Sequence, residues 1–273
     1  MVLGFFAVAV GPVTYLALPP EIARWYLALA AQRARNDDLP GALAAAEQAA
    51  KWNPEEPAVP LARGRILLDT EQYEDALAAA EEAVKLAPES IEAIQFRSLV
   101  RQYLGDFASA AEDSRRAYKL QLAEGETTPP RGALSDLNGW AYARGLAGED
   151  LEAALADINM VIERMGPEAA FLDTRGYIEY RLGDSAKALP DLDRAVRDTE
   201  TEYHTLRRQL KRSEAVWIDL TPLKEFEKAY SRNVAVIRYH RGLAHEALGN
   251  TEAHEADMRR VRELGFEPGE HLF

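Results

Sequence analysis

With 45 acidic against 32 basic side chains in 273 residues, the chain carries a formal charge of -13, and a surface of that sign repels phosphate backbones, which argues against nucleic acid as a partner. It has no cysteine, so disulfides, thiolate metal sites, iron-sulfur clusters and a nucleophilic thiol are excluded. Hydrophobic residues make up 47% of the sequence; many are alanine, the strongest helix former, and no Gly/Ser linker or charge run divides the chain, so one elongated all-α architecture is expected.

Met1 to Pro20 holds no ionisable side chain, and the 17 residues from Val2 to Leu18 reach the lower edge of what spans a bilayer. Residues 1–20 are therefore predicted to be a membrane anchor, which makes the protein membrane-associated through a single N-terminal segment. A cleaved signal peptide, which would make it secreted or periplasmic, fits less well: no Lys or Arg precedes the apolar run, and Pro19-Pro20 stand where a small-x-small cleavage site belongs. A buried cap helix is disfavoured by Gly4, Gly11 and Pro12. The nearest charges, Glu21, Arg24, Arg33, Arg35, Asp37 and Asp38, balance to zero and give the segment no preferred orientation.

Over residues 21–121 the sequence repeats itself. Ala42, Ala76 and Ala110 step by 34, as do Ala49, Ala83 and Ala117, and the small residues Ala30, Gly64 and Ser98. Leu43 and Leu77 follow the first series, and Pro54 and Pro88 close two units. Small side chains late in one helix and facing them in the next let two axes approach closely, where larger ones would splay the hairpin. The turn between the helices needs a residue tolerant of positive φ followed by a helix N-cap, which Gly105-Asp106, Gly183-Asp184 and Gly249-Asn250 supply.

Residues 122–134, with GETTPPRG at their centre, read as a loop, because the prolines cannot continue a helix. Three further units are predicted over residues 135–273. The fourth places Gly139 and Ala154 in the small positions, with about three extra residues in its turn; the fifth carries Gly176, Gly183, Ala188 and Ala195, with a bend expected at Pro190. The sixth has Gly242, Gly249 and Val261 in place, but His254 where the small residue of its second helix belongs. Between them, residues 198–233 read as extensions of two helices that meet near Asp219-Leu220-Thr221-Pro222, a protruding hairpin.

The 34-residue step, the small-residue pairs and the glycine-acid turns resemble the tetratricopeptide repeat family over about Ile22 to Pro268. The resemblance implies a right-handed superhelical solenoid of antiparallel helix pairs with about six repeats, in which each unit contacts its neighbours. It also implies a non-catalytic scaffold that holds a protein or peptide partner on its concave face. No cofactor is expected. The subgroup that clamps a C-terminal carboxylate is not matched, since the corresponding places are Leu27, Ala31, Arg65, Gln95 and Leu99.

Projected from the same register, the concave face is predicted to carry Tyr103, Trp140, Arg144, Tyr177, Tyr180, Arg181 and Tyr239, residue types that bury large area while losing few rotors. The competing reading for each aromatic is packing between neighbouring units. A metal-dependent enzyme is the weakest alternative, resting on His245 and His254 facing one another without a third ligand; the GxSxG, GxxxxGK[ST] and GxGxxG motifs are absent. Arg207, Arg208, Lys211 and Arg212 form a basic cluster that reads first as a solvated helix face, and a structural spacer that self-associates through its terminal units is the remaining alternative.

Overall fold

A computed structural model describes residues 18–122, 129–213 and 221–268, and among them the only extended regular elements are α-helices. The chain divides into two compact units, residues 1–93 and 94–273. The predicted anchor falls on residues 1–17, outside the described residues, except for Leu18, Pro19 and Pro20, which open the first helix; prolines are tolerated there because first-turn N–H groups have no intrahelical partner. Among the described residues no helix is long and apolar enough to cross a membrane.

The first unit packs α1 (Leu18–Arg35) on α2 (Leu39–Trp52) and α3 (Ala58–Asp69) on α4 (Tyr73–Leu86). Its core is thin: Ala30, Ala42, Ala45 and Ala46 gather with Ile66, and Ala76, Ala79, Ala80 and Ala83 are fully buried. No glycine serves the two turns. Asp37 and Glu71 take positive φ instead, one 34-residue step apart and one step before Gly105, and Asp38 caps α2 by accepting from the Gly41 amide at 3.0 Å.

The second unit, entered within α5 (Ile91–Tyr103), continues with α6 (Phe107–Lys119), a 3₁₀ turn (Arg131–Ala133), α7 (Leu134–Ala147), α8 (Leu151–Met165), α9 (Ala169–Arg181), α10 (Ser185–Ser213), α11 (Thr221–Ala247) and α12 (Thr251–Glu263). The helices of 29 and 27 residues, α10 and α11, pack along one another; the chain between them, with the predicted turn up to Leu220, lies outside the described residues. Pro190 sits within α10, which runs through it.

The fourth repeat has a different register from the one expected. Gly139 is not the close-approach residue, since a Cβ built on it meets nothing within 4 Å. Ala141 is, being fully buried, and it stands seven residues before the positive-φ Gly148, as Gly176 stands before Gly183 and Gly242 before Gly249. The turn is longer by one residue, not three, because Asp150 also takes positive φ before α8 begins. In the fifth repeat the glycine is required by contact, since a Cβ on Gly176 would lie 2.6 Å from Leu192 Cγ and 3.1 Å from the Ala188 carbonyl oxygen; in the sixth, a Cβ on Gly242 would meet the flexible end of Met258.

An ionic clasp recurs inside these hairpins. Arg97 pairs with Asp113 at 2.6 Å, Arg175 with Asp191 at 3.0 Å and Arg241 with Asp257 at 2.6 Å, the arginine preceding the aspartate by sixteen residues in each case. In the fourth repeat Trp140 occupies the arginine's place, and Asp157 is reached by Arg144, which matches the position of Arg101, the second partner of Asp113. Asp113 and Asp257 are buried, so removal of one partner leaves an uncompensated charge.

The register makes a direct test. Ala141→Leu should destabilise the fold by about 1–3 kcal/mol through overpacking, as should Ala76→Leu in the first unit, whereas Gly139→Ala should be neutral or stabilising by up to about 1 kcal/mol. Denaturant titration reads both, and equal costs at residues 139 and 141 would refute the assignment.

Candidate functional site

Within the second unit, one face each of α5, α7, α9, α10 and α11 converges on a groove of about 830 Å³. The contributing residues follow helical spacing: Leu99 and Gln102 from α5, Asn138 and Tyr142 from α7, Ala170, Asp173 and Thr174 from α9. Asp198, Thr201 and Glu202 on α10 and Asn233, Val236 and Ile237 on α11 repeat the same i, i+3, i+4 pattern, so the base of the helical extension forms a wall of the groove.

Behind the lining residues Tyr142 and Asp173 lies a buried polar and aromatic group. His240 Nδ1 lies 2.9 Å from Asp173 Oδ1, and the His240 ring stacks on Tyr177 with centroids 4.2 Å apart, with Tyr142 at 5.9 Å. Burial, then the Asp173 carboxylate and the neighbouring Tyr177, pushes the Tyr142 phenol well above its ordinary value. Tyr230 is raised by the Glu202 carboxylate, which also accepts its hydroxyl proton in a hydrogen bond. Both phenols therefore remain neutral at physiological pH and offer a hydroxyl. Asn138 Oδ1 is buried without a hydrogen-bond partner.

None of the seven side chains projected from the sequence is among the residues that line this groove. Tyr103 lies beside the groove residue Arg232, whose guanidinium is 5.2 Å from its ring centroid. Trp140 stacks on Tyr118 at 5.7 Å and carries Arg144 over its ring at 4.1 Å; Arg144 itself is 4% exposed and paired with Asp157. Tyr177, 7% exposed, packs on His240 and Tyr180. Arg181 donates to the carbonyls of Gly145 at 2.8 Å and Leu146 at 3.0 Å, satisfying the C-terminal end of α7. Tyr180 joins the core around Ala188, Leu192 and Ala244, and Tyr239 that around Ala235 and Val261.

Two physical causes separate projection from placement. The two-residue shift in the fourth repeat puts Asn138 and Tyr142, not Trp140 and Arg144, on the groove face. In the fifth, α11 packs His240 onto the position that Tyr177 holds. The lining residues missed by the sequence reading are mostly amides, hydroxyls and carboxylates, and the spacing that leads from Leu99 to Tyr142 through the corrected register was the signal that could have found them. At the histidines named for a metal, His254 Nδ1 lies 3.0 Å from the Gly242 carbonyl and His245 Nδ1 3.4 Å from Asn250 Nδ2; among the described residues no three His, Asp or Glu side chains are grouped to hold an ion.

A charge network fixes the wall. Arg241 bridges Asp193 and Asp257, Arg238 bridges Asp257 and Glu200, and Arg260 meets Glu200 at 3.1 Å, tying α10, α11 and α12 together. Burial alone would raise the Glu200 carboxyl, but Arg238 and Arg260 outweigh it and hold the group below its ordinary value.

The family profile described as Tetratricopeptide repeat matches residues 61–90. Among solved structures, a tetratricopeptide repeat protein from Parabacteroides merdae is similar with a TM-score of 0.61 and 15% identity, over 93% of this chain and 83% of that one. YrrB, described as a TPR protein with an unusual peptide-binding site, is similar at a TM-score of 0.51 and 20% identity, over 67% of this chain and 90% of its own. The MamA protein is similar at 0.52 and 17% identity, over 67% and 94%. No curated protein matches. The fold is thus an all-helical, tetratricopeptide-type solenoid fold.

Because Glu200 has a folded-state pKa below its unfolded one, its contribution to stability is complete above the unfolded value and is lost as the pH falls through the folded one. The thermal midpoint of the protein should fall as the pH drops below about 4, and Glu200→Gln should lower the midpoint near neutrality while flattening that acid limb. An unchanged acid limb in the variant would remove Glu200 from the account.

Proposed function

We propose that this protein is a non-catalytic scaffold that holds a segment of a partner protein in the groove of its second unit, and that residues 1–20 tether it to a membrane. The observation that carries the first part is the convergence of five helix faces on one groove of about 830 Å³ that mixes apolar residues with amides and hydroxyls. That mixture suits a polypeptide: Leu99, Val236 and Ile237 offer apolar contact, while Gln102, Asn138 and Asn233 can meet backbone N–H and C=O groups. YrrB, which shares the fold, is described as having a peptide-binding site. The tether rests on the run from Met1 to Pro20 without an ionisable side chain.

Of the seven side chains projected from the sequence as partner contacts, Tyr103 borders the bound segment in this reading through Arg232, and the others pack outside the groove's lining. The chain's lack of cysteine makes the test direct, since a single cysteine carrying a photo-crosslinker can be placed anywhere. Reporters at Gln102 or Asn233 should capture partner segments, and one at Glu81 in the first unit should not; equal capture from all three would refute the groove. Tyr142→Ala should weaken capture by about 2 kcal/mol if that ring is a hot spot, with helicity measured alongside. Deleting residues 2–18 should release the protein from membranes, and continued sedimentation with them would refute the tether.

A further inference from the structure

The lining of the groove is unbalanced in charge. Four carboxylates, Glu168, Asp173, Asp198 and Glu202, face it against one arginine, Arg232. Glu168 and Glu202 are exposed and Asp198 is half-buried, so all three are reachable from solvent. Their local partners neutralise little: Glu202 is engaged by the uncharged Tyr230, and Asp198 by Arg194 at 3.4 Å in a half-exposed pair. Arg232 lies over the rings of Tyr103 and Phe266, at 5.2 and 5.7 Å, beside the groove's edge. The guanidiniums of Arg144 and Arg181, predicted from the sequence to lie on the concave face, are occupied, Arg144 by Asp157 and Arg181 by backbone carbonyls.

The extension also sorts its charges. Asp198 and Glu202 on α10 face the groove, while His204, Arg207, Arg208 and Lys211 line a second surface hollow that adjoins the groove at Thr201 and runs further along the same helix. An acidic segment approaching the groove would meet like charge at three reachable carboxylates, whereas a basic one would meet opposite charge in a concave site, where the field is focused.

From this, and resting on the groove reading above, we propose that the bound partner segment is cationic: an extended stretch carrying lysine or arginine, whose side chains lie between the α9 N-terminus at Glu168 and the α10 wall at Asp198 and Glu202. The test uses the full chain in mild detergent, with an environment-sensitive fluorophore on Gln102→Cys, and two probes: a short peptide alternating lysine with alanine, and its counterpart with glutamate for lysine. The lysine peptide should shift the label and bind more weakly as salt rises; the glutamate peptide should not bind. An Asp198→Asn, Glu202→Gln variant should weaken the lysine peptide about tenfold, through the loss of two surface-type charge pairs. A Glu47→Gln, Glu55→Gln variant in the first unit should leave affinity unchanged. Should the double variant fold poorly, Glu168→Gln takes its place, since that side chain makes no capping hydrogen bond. A glutamate or purely apolar peptide that shifts the label while the lysine peptide does not overturns the cationic assignment and leaves the groove reading standing; no shift with any peptide sinks both. Concentration-dependent association of the chain that vanishes in an Arg207→Gln, Arg208→Gln variant would mean that the groove takes the basic ridge of a second copy, and would also overturn the proposal.

Discussion

The approach of paired helices across small residues is the constraint from which the rest of this structure follows. Ala42, Ala76, Ala110, Ala141 and Ala188 are all fully buried, and at Gly176 even a methyl group would collide with the facing Leu192. Helices brought this close present little side-chain volume to each other, so the core between them is thin in apolar area. The buried Arg–Asp clasps of the second unit occupy the flank of the same contact. Their energetic worth relative to apolar packing is small, but they have one geometry only, and a hairpin slipped by a residue could not make them. Small residues set the distance between the helices, and the clasps fix their phase.

That phase is what the sequence revealed unevenly. In the first three repeats the alanine series and the residues at positive φ advance together by 34, so distance and phase were both legible. In the fourth, Gly139, Ala141 and Ala143 are all small, and residue size alone does not choose among them. The turn does: Gly148, seven residues after Ala141, matches the glycines of the fifth and sixth repeats. The sixteen-residue spacing of Arg97, Arg175 and Arg241 from their aspartates was present in the sequence as a second check. The candidate site was less legible because it was sought by residue type. Trp140, Arg144 and Tyr177 have the chemistry of a binding surface, yet each lies at a position that neighbouring helices claim first.

The elongated pair α10 and α11 changes what the second unit can enclose. In a plain repeat array each helix touches those of adjacent units. Here Asp198 to Glu202 and Tyr230 to Ile237 border the same groove as Leu99 and Gln102 of α5, and Arg232 lies over Tyr103 at the end of that helix. Residues from the sixth repeat thereby reach those of the third, a contact that no nearest-neighbour reading of the sequence implies. Such a wall must be held at its root, and it is: Asp193, Arg241, Asp257, Arg238, Glu200 and Arg260 form a continuous chain of ion pairs across α10, α11 and α12 just where the extension begins.

The same network accounts for the sign of the groove. None of its arginines lines the cavity, and each is matched by carboxylates of α10 or α12, so the cations near the root of the extension neutralise structural acids and leave Asp198 and Glu202 to set the local potential. Further along α10 the balance reverses, with Arg207, Arg208 and Lys211 on one hollow and Arg207 paired with Glu227 of α11 at 3.0 Å. A chain with a formal charge of -13 would be expected to show acid everywhere on its surface. Beyond that general excess, Glu168, Asp173, Asp198 and Glu202 are gathered on one groove while Arg207, Arg208 and Lys211 lie further along α10, and an acidic concavity of this kind can discriminate between partners by charge.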